Sequence, residues 1–155
     1  MPKYYWILLL IVCSACDHNR IFEGFVTLPT YWHQDDAVSF EFVIDDESLT
    51  YDLVAQIKQD IDYPNYNFYF KYSLVDPADS VLTERLEEAI FFEPKTGRPL
   101  GSGIGDTFDH EYVLEEAFQF PAAGDYKVDL RQFMRVDSIP NILRLGLRIE
   151  RSTDD

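Results

Sequence analysis

The sequence predicts an all-β domain over residues 21–151, an antiparallel two-sheet β-sandwich of immunoglobulin-like or jelly-roll topology. Three observations lead there. Apolar and polar residues alternate with period two in several separate runs, Gly, Pro and Asp clusters interrupt the runs at short spacing, and no long helix is called for.

The first run is Val38, Phe40, Phe42 and Ile44 against Ser39, Glu41 and Val43, closed by Asp45, Asp46 and Glu47. The second sets Tyr51, Leu53, Ala55 and Ile57 against Asp52, Val54, Gln56 and Lys58. The third places Phe68, Phe70, Tyr72 and Leu74 opposite Asn67, Tyr69, Lys71 and Ser73, and ends at Asp76 and Pro77. Residues Val81 to Phe92 carry Leu82, Leu86 and Ile90 at helical spacing yet also read as a strand running into Phe91 and Phe92; the strand is preferred. Glu93 to Asp109 reads as the longest polar loop, with Pro94, Pro99 and several glycines suited to left-handed backbone. Tyr112 to Phe120 is extended again, and Pro121 to Asp125 is a turn. Tyr126, Val128 and Leu130 then alternate with Lys127, Asp129 and Arg131. Finally Leu143, Leu145, Leu147 and Ile149 alternate with Arg144, Gly146, Arg148 and Glu150, before residues 152–155 fray. This makes seven to nine strands. Tyr126, placed just after Gly124 and Asp125, is either a corner tyrosine whose hydroxyl is pinned to backbone or a core aromatic after a turn.

The N-terminus has a different character. One cation, Lys3, precedes an uncharged stretch from Tyr4 to Val12, followed by Cys13, Ser14, Ala15 and Cys16. That is the layout of a secretory signal peptide, and the apolar run is far shorter than the ~20 residues a spanning helix needs. Small Ser14 and Ala15 directly before Cys16 resemble the bacterial lipobox, in which the cysteine is acylated and becomes the new N-terminus. Residues 1–15 are therefore expected to be removed, Cys16 to carry lipid, and residues 16–20 to form a short tether; a plain secretory cleavage nearby is the alternative. The other cysteine, Cys13, leaves with the peptide, so the mature chain has no disulfide and no thiol for catalysis or zinc.

Composition narrows the partners. The chain has 28 Asp plus Glu against 13 Lys plus Arg. Such a charge repels phosphate backbones, which excludes nucleic acid, and disfavours flat contact with anionic lipid. Twelve Phe and ten Tyr supply a substantial core.

No catalytic set emerges. His18, His33 and His110 are isolated and read as surface residues. The adjacent carboxylates Asp35 and Asp36, Asp45 and Asp46, Glu87 and Glu88, and Glu115 and Glu116 point to opposite faces of a strand and read as solvated turns and edges. The Gly101 to Asp106 stretch lacks the lysine and helix of a phosphate loop. Asp106 and Asp109 are subordinate calcium candidates; otherwise neither metal nor cofactor is expected, nor an enzyme. Two aromatic clusters, Tyr31 with Trp32 and His33, and Tyr63 with Tyr66 and Tyr69, are candidate contacts for sugars or a protein partner. For Trp32 a core role is favoured over contact.

Several stretches also carry a family resemblance. These are Cys16-Asp17-His18-Asn19-Arg20; Trp32 and His33 ahead of Asp36, Val38, Phe40 and Phe42; Asp62-Tyr63-Pro64 before Asn67-Phe68-Tyr69; Gly101 to Asp106; Phe120-Pro121, Gly124, Tyr126, Gln132, Met134 and Arg135; and Gly146-Leu147-Arg148-Ile149-Glu150. In that order and spacing the chain resembles the gliding-motility lipoprotein GldH family of the Bacteroidota almost end to end, least so around Val81 to Glu93 and at Cys13. The resemblance implies a membrane-anchored accessory of the gliding machinery, which is linked to type IX secretion, with other cell-envelope proteins as partners. It supplies no catalytic residues; only the lipidated Cys16 carries over. Relatives also occur in bacteria that do not glide. Asp17 after the cysteine argues for inner-membrane retention under some sorting rules, but the periplasmic face of the outer membrane is the preferred location. A carbohydrate-binding lipoprotein is the alternative function.

Overall fold

The structure, a computed structural model, describes residues 19–153. The expected signal peptide, with Cys13, and Cys16 and His18 lie outside the described residues. Eleven strands follow in chain order: β1 (Arg20–Thr27), β2 (Tyr31–His33), β3 (Val38–Ile44), β4 (Thr50–Asp60), β5 (Asn67–Val75), β6 (Val81–Ile90), β7 (Ser102–Ile104), β8 (Thr107–Gln119), β9 (Gly124–Gln132), β10 (Ser138–Pro140) and β11 (Ile142–Arg151). They form a five-stranded sheet β1-β11-β4-β8-β7, a four-stranded sheet β3-β9-β5-β6 and a small pair β10-β2. All pairings are antiparallel.

The topology settles which sandwich this is. Among the eight long strands, the first pairs with the last (β1 with β11), and β3 with β9, β4 with β8 and β5 with β6 follow inward. A long antiparallel ribbon has been rolled up, and β11 with β4 and β9 with β5 close it into two sheets. That is a jelly roll rather than an immunoglobulin-like order.

The alternating runs fill the space between the sheets. Phe40, Phe42 and Ile44 face Leu53, Ala55 and Ile57, with Phe68, Phe70, Tyr72, Leu74, Val128 and Leu130 beside them, all buried. Val81 to Ile90 is a strand, as preferred. Tyr126 is a corner tyrosine: its hydroxyl donates to Ala122 O at 2.7 Å while its ring packs on Phe120 and Phe42.

Where sequence and structure part, local irregularities explain it. β1 begins at Arg20, the last residue assigned to the tether, and was not foreseen; a register shift between Arg20 and Phe22 breaks the alternation that would have announced it. In β11 the register shifts between Ile142 and Arg144, so Ile142 rather than Leu143 enters the core. The supposed loop from Glu93 to Asp109 contains β7 and the start of β8, a hairpin turning on Gly105 at φ 69°. The three-residue strands β2 and β10 are too short to leave a pattern. Ser152 does not fray: its amide donates to Thr50 O at 2.9 Å and its hydroxyl bonds Asp52.

Candidate functional site

The strand directions give the sandwich two unlike ends. Chain entry at Arg20 pairs with Glu150, and Arg151 N donates to Asn19 O. The turns 45–49, 76–80 and 120–123 lie at this same end, because Ile44 pairs with Gly124, Thr50 with Gln119 and Val75 with Val81. This entry end is acidic. Asp45, Asp46, Glu47, Asp76, Asp79 and Asp125 sit in or beside its turns. The carboxylates fold the loops: Asp76 Oδ1 accepts from the amides of Ala78 and Ser80 at 2.8 Å each, and Asp46 Oδ1 from the hydroxyl and amide of Ser48, which hold its carboxyl below the usual range. A cleft of about 580 Å3 here is lined by Glu41, Asp76, Asp79 and Asp125, with Lys127 as the one cation in the lining.

The far end has carboxylates of its own, Asp35, Asp36, Asp62, Asp106 and Asp137, and differs in its exposed large apolar side chains. Tyr31, Ile61, Tyr66, Ile104, Phe133 and Val136 are all exposed there, Ile104 to 95 % at the tip of the β7–β8 hairpin. A groove of about 520 Å3 runs from this end onto the outer face of β5 and β6, lined by Tyr69, Leu86, Phe133, Met134 and Val136, with Arg135 at its mouth. Its floor is built by hydrogen bonds. Phe133 N donates to Tyr69 O at 2.8 Å, and Met134 N to Gln132 Oε1 at 2.8 Å. Buried Gln132 in turn donates to Val136 O and Asp137 O, both at 3.2 Å, so residues 133–137 are held around one amide. Phe133 therefore stands out at 55 % exposure with Lys71 Nζ 5.8 Å above its ring. On the rim, Asn67 donates to Glu88 at 2.6 Å; the bonds from Asn67 and Tyr69 keep the Glu88 carboxyl low, while Glu88 pushes the Tyr69 phenol up.

The residues singled out in the sequence divide between core and surface. Trp32 is 1 % exposed, its indole N–H donating to Asp36 O at 2.7 Å and its ring 6.0 Å from Phe68; it caps the core, the favoured reading. Tyr63, a contact candidate, is also buried. Its hydroxyl donates to Asn67 O at 3.1 Å, its ring packs edge-on to Phe91, and burial pushes its phenol up to about 12. Tyr66 is exposed and Tyr69 is half-buried in the groove. Two of the five aromatics considered as sugar or partner contacts, Trp32 and Tyr63, thus belong to the core.

Asp109 accepts from Lys58 at 2.9 Å and Arg144 at 3.2 Å, so both of its oxygens are committed to cations; Asp106 O accepts from Ile61 N at 2.7 Å. Among the described residues no three His, Cys, Asp or Glu side chains converge as a metal site. Cys16 lies outside the described residues.

Two expectations are corrected. His110 is not a surface residue: it is 6 % exposed, its ring is 4.7 Å from Phe91, and burial holds its imidazole below the usual range. Glu115 is not a solvated edge. Two register shifts in the β4–β8 pair break the strict alternation of faces, so Leu114 and Glu115 are both buried in succession. Glu115 lies 2.7 Å from the Tyr72 hydroxyl and 3.3 Å from Arg85, joining the two sheets along their open side. The sequence reading missed Leu86, Phe133, Val136 and Ile104. The signal was present in Phe133-Met134-Arg135-Val136, an apolar group lying outside any alternating run.

Known proteins enter at this point. The sequence profile of the GldH lipoprotein family matches residues 20–149. The gliding motility lipoprotein GldH homolog of Christiangramia forsetii is 29% identical, the match covering 96% of this chain and 94% of that protein. The gliding motility lipoprotein GldH of Flavobacterium johnsoniae is 25% identical over 94% and 93% of the two chains. Among solved structures, the infectious bursal disease virus VP2 subviral particle covers 98% of this chain and 37% of its own, at 10% identity and a TM-score of 0.44, a likeness too loose to bear on fold or function.

Proposed function

We propose that this chain, which belongs to the GldH lipoprotein family, is a lipid-anchored, non-catalytic accessory that docks other envelope proteins of the gliding-motility and type IX secretion machinery. The observation that carries the reading is the polarity of the domain. Lipid on Cys16 would enter the acidic end through residues 17–19, a tether reaching at most about 10 Å. Acidic turns repel anionic headgroups over roughly one Debye length, about 8 Å at physiological salt. A short tether and a repulsive near end together favour an upright domain.

The far end is then carried away from the bilayer by the length of β4, eleven residues or roughly 36 Å. Lipid of the anchoring leaflet does not reach it, which leaves protein as the occupant of its exposed aromatics. The reading places the anchor in the outer membrane with the domain facing the periplasm, and assigns no reaction to the chain.

The test compares the native protein with Cys16→Ala by intact mass and membrane fractionation, together with crosslinking from Phe133. Acyl mass and membrane retention lost in the variant, with defined envelope proteins crosslinked by the wild type, support the reading. A soluble, unacylated wild type, or a crosslinked sample that stays a single species, overturns it.

A further inference from the structure

We infer that the free edge of β6 is a strand-addition site for an extended segment of a partner protein whose side chains on one face are apolar and basic in turn. The inference rests on the docking reading above and names the chemistry of the partner.

β6 is the outermost strand of its sheet and pairs with β5 alone. Among the described residues no backbone group of 81–90 bonds any other strand or turn, and only Ile90 O finds a side chain, accepting from the Tyr112 hydroxyl at 3.1 Å. In an antiparallel strand every second residue turns its N–H and C=O to the open side, so about half of these ten residues present unmet backbone groups. Soluble proteins blunt such an edge with proline, lysine, a bulge or a short strand. β6 contains no proline, glycine or lysine and is ten residues long. Its one irregularity, between Leu74 and Val75 of the partner strand, lies at the entry end. Arg85 faces inward, the kind of charge that blunts an edge, but it is drawn across to Glu115 at 3.3 Å.

The side chains beside the edge select the occupant. Leu82 and Leu86 project outward and are exposed, and Leu86 forms one wall of the groove whose other wall is Phe133. An apolar side chain of an added strand opposite Leu86 would reach this groove, and its neighbours two positions away on the same face would lie opposite Glu84 and Glu88, while Glu87 shares the inner face with Arg85. Two carboxylates on that face, Glu84 shared with Lys71 at 2.7 Å and Glu88, on a chain of net charge −15, favour lysine or arginine at those positions. The same charges oppose pairing of two copies through this edge, because like charges would meet across it.

The test uses the mature acylated protein in detergent micelles and a synthetic ten-residue peptide whose every second residue is valine and lysine in turn, with threonine at the positions between. The expected result is saturable binding with hydrogen exchange slowed within 81–90. Leu86→Asp should weaken binding at least roughly tenfold, the scale of one lost apolar anchor. A peptide N-methylated at alternate residues, and one with glutamate for lysine, should each lose at least as much. Equal binding of the N-methylated peptide would reduce the effect to electrostatic adsorption and overturn the inference. So would protection falling on β1 or β3, or sedimentation showing self-association through β6. Acylation of Cys16 and crosslinks from Phe133 read the underlying function separately: if they hold and the peptide fails, strand addition alone is wrong. If the peptide binds in the expected way and acylation fails, the edge stands and the membrane reading falls.

Discussion

Carboxylates line the turns at both ends of the sandwich, yet only the far end adds exposed aromatic side chains, Tyr31, Tyr66 and Phe133. Beneath them the core differs much less. Phe42, Tyr51, Phe118, Phe120 and Tyr126 interlock under the turns of the entry end, and Trp32, Tyr63, Phe68, Phe91 and His110 under those of the far end. Stability is therefore spread along the length of the sandwich, while surface chemistry is not. Apolar side chains that the core does not need, gathered at one end, are what a binding surface looks like before its partner is present.

Substitutions at matched residue types should separate these contributions. The largest effect is expected from Phe120→Ala, which empties a buried aromatic site at the entry end and should cost about 3–5 kcal/mol. Phe133→Ala at the far end should change stability by no more than about 0.5 kcal/mol while abolishing the crosslinks from that surface. Urea denaturation of both variants checks the pair. Equal destabilisation would mean that Phe133 belongs to the core and not to an interface.

Tyr126→Phe removes the bond to Ala122 O and leaves that carbonyl to find another partner, at about 1 kcal/mol by the same assay. No change would show that the corner is held by ring packing alone.

The buried imidazole and the bonded carboxyls should also respond to acid at different points. His110 has a folded pKa lowered by burial, so the unfolded chain binds its proton first. Its contribution to stability is fully present above the unfolded value of about 6.5 and is lost as the pH falls from there through the folded value. His110→Leu should flatten this part of the pH profile. The Glu84 and Glu111 carboxyls, lowered by bonds from Lys71 and from Arg148, keep their contribution until the pH falls below about 4.3 and lose it below that. A single stability loss below about 4.3, unaffected by His110→Leu, would contradict the placement of that imidazole.

Much of the core could be read in the sequence because β3, β5 and β9 keep strict period-two alternation, so that each inward residue announces its face. The reading failed where the backbone departs from a plain ladder. A shift after Arg20 hid β1, one near Ile142 exchanged it with Leu143, and two in the β4–β8 pair turned Glu115 inward. Of the surface, Tyr31, Tyr66 and Tyr69 were named in advance as contacts. Phe133 and Leu86 come together from residues 47 positions apart, through the pairing of β9 with β5 and β5 with β6, and no local pattern encodes that. Tyr63 looked like part of an exposed tyrosine cluster, but the turn after β4 carries it into the core.

The central claim is that the entry end faces the membrane and the far end faces away. The mature chain is expected to carry no thiol apart from acylated Cys16, so Leu49→Cys at the entry end and Ile104→Cys at the hairpin tip each take a single fluorophore. Energy transfer from that fluorophore to an acceptor-labelled lipid, with the acylated protein in vesicles, measures the two heights. The account predicts strong transfer from position 49 and weak transfer from position 104. Equal transfer, or the reverse order, would contradict it.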